Sequence, residues 1–141
     1  MARRVTSTRA LVAVLAVAVV TLAACSTSSA PKAAAGLQAR KTTIGGLEVT
    51  VTPTELDSRG AAFTVVFDTH NGAPGIDVAA NAALDVDGTA WTAPTWAGDG
   101  PGGHHRSGTL RFTNAGPARG AAQLTITGLD QPLAITWQLP N

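Results

Sequence analysis

The sequence predicts an all-β domain, an immunoglobulin-like antiparallel β-sandwich of about seven strands. Three observations predict it: apolar and polar residues alternate in short runs, turn residues separate the runs, and no long run has helical spacing. The runs fall within residues 42–141, about the usual size of one domain. An open barrel is the second fold that this pattern fits.

Each predicted strand carries apolar side chains on one face and mostly polar side chains on the other. Phe63, Val65 and Phe67 share one face of a run, and Asp68 lies on the opposite face. Such alternation is typical of strands with one buried and one solvated face. The pattern recurs in further runs at residues 47–52, 84–87, 110–113, 124–127 and 133–139.

Turn residues separate these runs along the chain. Asp87-Gly88 stands between two strand-like runs and is a strong hairpin signal. Segments rich in Gly, Pro and Asn interrupt the chain at residues 71–75, 114–117 and 128–132. These breaks favour short strands joined by tight connections.

The first 24 residues have the layout of a secretory signal peptide. Three arginines in the first nine residues precede an unbroken apolar run at residues 10–20. The apolar segment is interrupted by Thr21 and is shorter than the roughly 20 residues that a transmembrane span needs. We therefore expect residues 1–24 to form a signal helix that is cleaved on export.

The stretch Leu22-Ala23-Ala24-Cys25 directly follows the apolar run. It resembles the lipobox of bacterial lipoproteins, in which a Leu and two small residues precede the cysteine that receives the lipid. The resemblance implies cleavage before Cys25 and attachment of diacylglycerol, with palmitate-type chains, to its sulfur. Two acyl chains make a stable anchor. We expect a lipid anchor at the extracytoplasmic face of the cell membrane, with the lipid bilayer as a partner.

Residues 25–41 are predicted to form a flexible tether, because Ser, Ala and Pro dominate their first part. Three of the ten Lys and Arg lie in the signal, so seven remain against nine Asp and Glu, a net charge of −2. This balance, without a basic patch, excludes a nucleic-acid-binding protein. Cys25 is the sole cysteine, so the predicted domain has no disulfide.

All three histidines lie in two short motifs. An Asp-Thr-His motif at residues 68–70 ends the second predicted strand, and a Gly-Gly-His-His-Arg motif at residues 102–106 precedes the run at 108–113. Asp68 and His70 are two residues apart, so they share the solvated face of their strand. We expect the two motifs to meet in space, bringing together Asp68, His70, His105 and Arg106.

The same motifs resemble those of a family of small exported prokaryotic domains to which no activity is assigned. The matching segments are the Asp-Thr-His strand end at 68–70, a Trp-x-Gly stretch at 96–98 and Pro-Gly-Gly-His-His-Arg-Ser-Gly at 101–108. The resemblance covers roughly residues 47–139. It implies that the histidine pair matters and does not imply a reaction.

Three interpretations of the cluster compete. In the first, Arg106 pairs with Asp68 and the imidazoles fix the loop by bonding backbone carbonyls, in a structural or binding network that includes His70, His105 and Trp96. In the second, His70, His104, His105 and Asp68 supply ligands to copper or zinc. Catalysis is the third and weakest, because Ser58 and Ser107 are the sole serines of the domain and neither lies in a nucleophile elbow.

We therefore predict a non-enzymatic binding or interaction module with no catalytic residue and no required cofactor. Its alternative is a copper- or zinc-binding protein, so the expected partner is an envelope protein or a metal ion. Trp91 and Trp96 have two interpretations: an exposed stacking platform for sugars, or residues that close the core with at least one of them packed inside.

Overall fold

A computed structural model describes residues 31–141 as an all-β structure. The predicted signal peptide, Cys25 and the predicted tether up to residue 30 lie outside the described residues. No helix in the described part is long and apolar enough to cross a membrane. The strands are β1 (Arg40–Ile44), β2 (Leu47–Asp57), β3 (Gly60–Thr69), β4 (Ala82–Val86), β5 (Thr89–Gly98), β6 (His105–Thr113), β7 (Gly120–Ile126) and β8 (Leu133–Leu139).

All neighbouring strands pair antiparallel, in the order β1-β2-β3-β6-β5-β4-β7-β8. This sheet of eight strands nearly closes into a barrel, with β1 and β8 at its open edges. The Trp137 Nε1 of β8 donates a hydrogen bond of 2.9 Å to the carbonyl of Gln38, just before β1. The predicted all-β class is confirmed, whereas the immunoglobulin-like sandwich is not.

Strand β5 joins two groups of strands into one sheet. Its first part, Thr89 to Trp91, pairs with β4, and its later part, from Thr92 to Gly98, pairs with β6. The register shifts between Thr92 and Thr95, where Ala93 has a φ of 51°. Such an irregularity bends a strand and increases its twist. The bend lets β5 follow the curvature that a nearly closed sheet requires.

The core fills the interior of this sheet. Phe63, Val65 and Phe67 of β3 are fully buried, as their alternation predicts. The Phe63 ring lies 6.2 Å from the Phe112 ring and 5.4 Å from the Trp137 ring, measured between centroids. Because Trp137 belongs to the far edge strand, its contact with Phe63 crosses the interior, whereas Phe63 and Phe112 lie on the paired strands β3 and β6.

The predicted hairpin at Asp87-Gly88 forms between β4 and β5. Both residues have positive φ, 51° for Asp87 and 80° for Gly88. This pair of angles defines the two-residue turn whose twist matches that of antiparallel strands, and Asp-Gly is a favoured sequence for it. The Asp85 side chain accepts a hydrogen bond of 2.9 Å from the Gly88 N–H, which adds to the turn.

Ordered structure begins upstream of Thr42, the first residue of the predicted domain. The Ala34 N–H donates a hydrogen bond of 2.6 Å to the Pro53 carbonyl. Leu37 is 6% exposed and belongs to the core, and β1 starts at Arg40. Residues 34–41 therefore pack on the barrel, because the apolar side chain of Leu37 gains free energy by leaving water.

The barrel has two ends, which lie at opposite ends of the long strand β2. The hairpin end holds the turn between β2 and β3 at Ser58-Arg59, and Ala34 and Leu37 line a surface depression there together with Arg59. The histidine end holds the last residue of β3, Thr69, and the first residue of β6, His105. The chain thus joins the barrel toward the hairpin end, away from the histidines.

Candidate functional site

The two histidine motifs meet at the histidine end through the pairing of β3 with β6. Asp68 lies directly opposite His105, and Phe67 lies directly opposite Arg106. Directly opposite residues of an antiparallel pair point to the same face. The register therefore places Asp68 and His105 on the outer face, and Arg106 on the inner face with Phe67.

On the outer face, His105 and Asp68 form a partly exposed pair. His105 Nδ1 lies 2.5 Å from Asp68 Oδ1, with 61% of the His105 side chain and 46% of the Asp68 side chain exposed. The carboxylate accepts the hydrogen bond, so His105 carries a proton on Nδ1. Solvent screens a pair this exposed, and its contribution to stability is about 0–1 kcal/mol.

The neighbouring histidine is held by the backbone. His104 Nδ1 lies 3.2 Å from the Thr69 carbonyl, and the Thr69 N–H donates a 2.9 Å hydrogen bond to the His104 carbonyl. Since a carbonyl accepts, the proton of His104 is also on Nδ1. The imidazole of His104 therefore fastens the loop before β6 to the end of β3, which is the role that the first interpretation gave to the histidines.

His70 follows the last residue of β3 and is exposed. It lines one groove with Asp68, His104 and His105, and with Glu48 of β2; we name this the histidine groove. His70 forms no hydrogen bond with any residue in the described range 31–141. The structure thus gathers all three histidines around one groove but joins His105 alone to Asp68.

Arg106 lies on the other face of β6 and is 2% exposed. Its Nε donates to the Asp99 carbonyl at 3.1 Å, and its Nη1 donates to the carbonyls of Pro74 and Ile76 at 3.0 and 2.9 Å. The expected ion pair between Arg106 and Asp68 does not form. Residues 105 and 106 are adjacent on a strand, so their side chains point to opposite faces.

These carbonyls belong to two loops at the histidine end. Pro74 and Ile76 lie in the connection between β3 and β4, whereas Asp99 begins the connection between β5 and β6. The order of strands in the sheet separates β3 from β4 by two strands, so the first connection must pass β6 and β5. The guanidinium of Arg106 ties this passing connection to the loop at Asp99.

Trp96 of β5 is partly buried and packs beside Arg106. The Arg106 guanidinium carbon lies 5.5 Å from the centroid of the Trp96 ring, within the range of a cation–π interaction. The indole Nε1 donates to the Asp99 carbonyl at 3.1 Å, the same carbonyl that Arg106 uses. The cation–π contact and the shared Asp99 carbonyl together fix the orientation of the Arg106 and Trp96 side chains.

Gly98 and Gly108 make room for the Trp96 ring. They lie opposite each other in the pairing of β5 with β6. A Cβ added to Gly108 would lie 2.5 Å from Trp96 Cζ2, and one added to Gly98 would lie 2.3 Å from the Gly108 Cα. The Trp-x-Gly and Arg-x-Gly patterns of the sequence are therefore explained by one layer of packing on the inner face.

The loop after β5 is fixed by Asp99 and Ser107. The Ser107 N–H and hydroxyl lie 2.9 and 3.2 Å from Asp99 Oδ2, and both donate to it. These hydrogen bonds, the one from the backbone first, hold the pKa of the Asp99 carboxyl below its ordinary value. Ser107, one of the two serines considered for catalysis, thus serves as a donor to this carboxylate.

The two tryptophans in question have different environments. Trp91 is 3% exposed and belongs to the core, and its Nε1 has no hydrogen-bond partner among residues 31–141. Trp96 is partly buried against the core. At least one of them is packed inside, as the second interpretation requires, so the two do not form an exposed platform.

The first interpretation places Arg106 and Trp96 in one network, but it does not predict the burial of Arg106 on the inner face beside Trp96 and Gly108. The signal for this burial was the period of two: Arg106, Gly108, Leu110 and Phe112 share the parity of the buried residues of β6. The predicted strand starts at residue 108, and the same alternation continues backwards to Arg106.

No protein-family model, curated protein or solved structure matches the chain. Nor do the residues from 31 to 141 contain a group of three or more His, Cys, Asp or Glu side chains that could hold a metal ion. The geometry of the histidine end therefore carries the functional argument.

Proposed function

We propose that the protein is a lipid-anchored, extracytoplasmic binding module without enzymatic activity, and that it presents the histidine end of its barrel to its partner. Residues 1–24 are the cleaved signal in this proposal, and Cys25 carries the acyl chains. The partner is a protein or other component of the cell envelope. The observation that carries the proposal is that the chain enters the barrel at the hairpin end, at the opposite end of β2 from the histidine groove.

The entry point of the chain supports this orientation. Ala34 is bonded to Pro53 in the second half of β2, whereas Leu47, at the start of β2, lies opposite Thr69. Six residues of strand separate Leu47 from Pro53, or roughly 20 Å. Nine residues link Cys25 to Ala34 and span at most about 30 Å. The linker therefore joins the barrel at the hairpin end, the end that we propose faces the membrane, and its reach does not by itself fix this orientation.

Intact mass and membrane fractionation test the anchor. Protein extracted from membranes should begin at Cys25 and carry the added mass of the lipid, and Cys25→Ser should abolish that modification. A mature chain that begins elsewhere with an unmodified thiol would contradict the anchor.

Fluorescence quenching tests the orientation. With Cys25 acylated, single cysteines at Ser58 and Asn71 would carry one dye each, at the hairpin end and the histidine end. Quenchers on lipid head groups should quench the dye at Ser58 more strongly than the dye at Asn71. Equal quenching would contradict a preferred orientation without bearing on the anchor.

Copper or zinc binding is the second candidate function, and one observation favours it. His104 and His105 both donate from Nδ1, to a carbonyl and to a carboxylate, which leaves each Nε2 available. Metal-binding histidines are commonly oriented by such a bond from the other ring nitrogen. His70 and Asp68 line the same groove, but the side chains of residues 31–141 as they stand form no group of three that could hold a metal ion, so binding would require them to move together.

A further inference from the structure

Arg106 differs from the other arginines whose partners the structure describes. Arg59 and Arg111 are exposed and lie within 4 Å of carboxylates, Arg59 with Asp57 and Arg111 with Glu55. Arg106 is buried, and no carboxylate of residues 31–141 lies within ion-pair distance of it. Backbone carbonyls and the Trp96 ring compensate this buried charge, so an anion that reached the guanidinium would add a direct counterion, which none of residues 31–141 supplies.

One part of the guanidinium is still available to such an anion. Nε and Nη1 donate to three backbone carbonyls, whereas Nη2 donates to no acceptor within the described chain. Arg106 also lines a surface groove together with Trp96, Ile76, Ala79, Asp99 and Pro101, which we name the arginine groove. A solvent-borne ligand in this groove would therefore lie beside Arg106.

The carboxylates nearest to this groove are directed to their own loops. Asp99 accepts from the backbone and hydroxyl of Ser107 through Oδ2. Asp77 accepts a hydrogen bond of 3.1 Å from the Ala80 N–H through Oδ1. Both carboxylates line the groove, and, besides the hydrogen bonds from Ser107, the charge of Arg106 helps to lower the pKa of Asp99, but neither carboxylate lies within 4 Å of the guanidinium.

We infer that the arginine groove binds a carboxylate-bearing ligand, with the carboxylate against Arg106 and an apolar stem over Ile76, Ala79 and Pro101. Arginine suits this role because its guanidinium is always charged and its Nη2 keeps donors for a carboxylate oxygen while Nε and Nη1 bind the three carbonyls. The inference deepens the proposed binding function by naming the ligand chemistry, and it rests on that function. It does not depend on the lipid anchor, which separate measurements test.

Two sources of the carboxylate are distinguished by the choice of probe. N-acetylalanine represents the carboxyl terminus of a peptide, and its N-methylamide is the uncharged match. Glucuronate represents an acidic sugar, and glucose is its uncharged match. Each probe is titrated into the full processed protein in detergent micelles, labelled with ¹⁵N, and the Arg106 Nε–H and Trp96 Nε1–H resonances are followed.

The expected result is saturable movement of both resonances with one or both carboxylates and none with the amide or glucose. The probe that binds more tightly identifies the source. Failure of both carboxylates to move the Arg106 resonance would overturn the inference, as would equal movement with the uncharged matches. These outcomes concern the wild-type protein and so do not depend on whether any variant folds.

Variants of two arginines on β6 test whether the ligand binds at Arg106. Arg106→Lys keeps the charge and loses the planar donor group. We therefore expect the dissociation constant of the tighter-binding probe to rise at least about tenfold. Arg111→Lys is the matched control on the outer face and should leave that constant unchanged. An equal loss in both variants would show that binding follows net charge alone and would contradict a site at Arg106.

Discussion

The two faces of β6 at the histidine end differ in what their polar residues do. On the outer face, His105 reaches across to Asp68, and both side chains remain about half exposed. On the inner face, Arg106 is buried, bonded to three carbonyls and placed over Trp96. Adjacent residues of one motif thus serve separate purposes. The pair of His105 and Asp68 lines the histidine groove, whereas Arg106 holds two loops together.

The histidines therefore line the site, whereas the Arg106 network holds its loops in place. Removal of a group from an exposed pair costs little, because water replaces the lost partner. Removal of a group from a buried network leaves acceptors without donors and costs the desolvation of those acceptors. We expect the two faces to separate clearly in any measurement of stability.

The largest effect is expected at Phe67, the residue opposite Arg106. Phe67→Ala should lower the free energy of unfolding by about 3–5 kcal/mol, because it removes a fully buried aromatic ring from the core. Urea unfolding followed by tryptophan fluorescence measures the change. Thr125→Ala, on the outer side of β7, should cost under about 0.5 kcal/mol. Equal costs would mean that the inner and outer faces are assigned wrongly.

A smaller effect is expected at Gly108, where a substitution tests the packing of the inner face. Gly108→Ala places a Cβ where Trp96 Cζ2 would lie 2.5 Å away, so the ring must move from its place beside Arg106. Overpacking of this kind costs about 1–3 kcal/mol. Gly100→Ala is the control, because a Cβ there meets nothing within 4 Å. A stable Gly108→Ala variant with an unmoved Trp96 indole resonance would contradict the packing described.

The loss of stability as the pH falls should depend on Asp99. Its pKa is lowered in the folded protein, so its carboxylate contributes stability above the unfolded value, and that contribution is lost as pH falls through the folded value. Asp99→Asn should therefore be less stable than wild type near neutral pH, and the gap should narrow below about pH 4. Urea midpoints measured from pH 2 to 7 test this. A gap independent of pH would refute it.

The smallest effect is expected from metal ions at the histidine groove. Under the binding-module proposal, Cu²⁺ and Zn²⁺ should leave the melting temperature unchanged, and His70→Ala should leave the metal-free protein as stable as wild type, because His70 is exposed. Bound metal would instead stabilise the protein by about 2.7 kcal/mol at a hundredfold excess over Kd. One equivalent bound, with a shift that His70→Ala abolishes, would favour the second candidate function.

Local alternation was enough to predict much of the fold. The buried face of β3 and the turn at Asp87-Gly88 follow from the period of two and from turn chemistry, which act over a few residues. Strand β1 and the later part of β5 lack clean alternation, so no strand is predicted from the sequence at either place. Near-closure of the sheet depends on the bend at Ala93 and on contacts between distant segments, such as Trp137 with Gln38, which no local pattern encodes.

The candidate site was predictable to a similar degree. Both motifs come together as expected, because the pairing of β3 with β6 sets Asp68 opposite His105. The inward orientation of the Arg106 side chain was not predicted. The glycines at 102 and 103 indicate a loop, and β6 begins directly after that loop, at His105. A buried arginine also opposes the usual rule that charged residues are exposed. Backbone carbonyls and an indole ring, contributed by distant segments, make that burial possible.

The adjacent pair His105 and Arg106 tests the central claim most directly. Unfolding free energies of His105→Ala and Arg106→Ala, measured by urea denaturation under identical conditions, compare the two faces at one position of the strand. We expect His105→Ala to cost under about 1 kcal/mol. We expect Arg106→Ala to cost about 2–4 kcal/mol, because three carbonyls lose a charged donor. A cost for His105→Ala equal to or above that for Arg106→Ala would contradict the account.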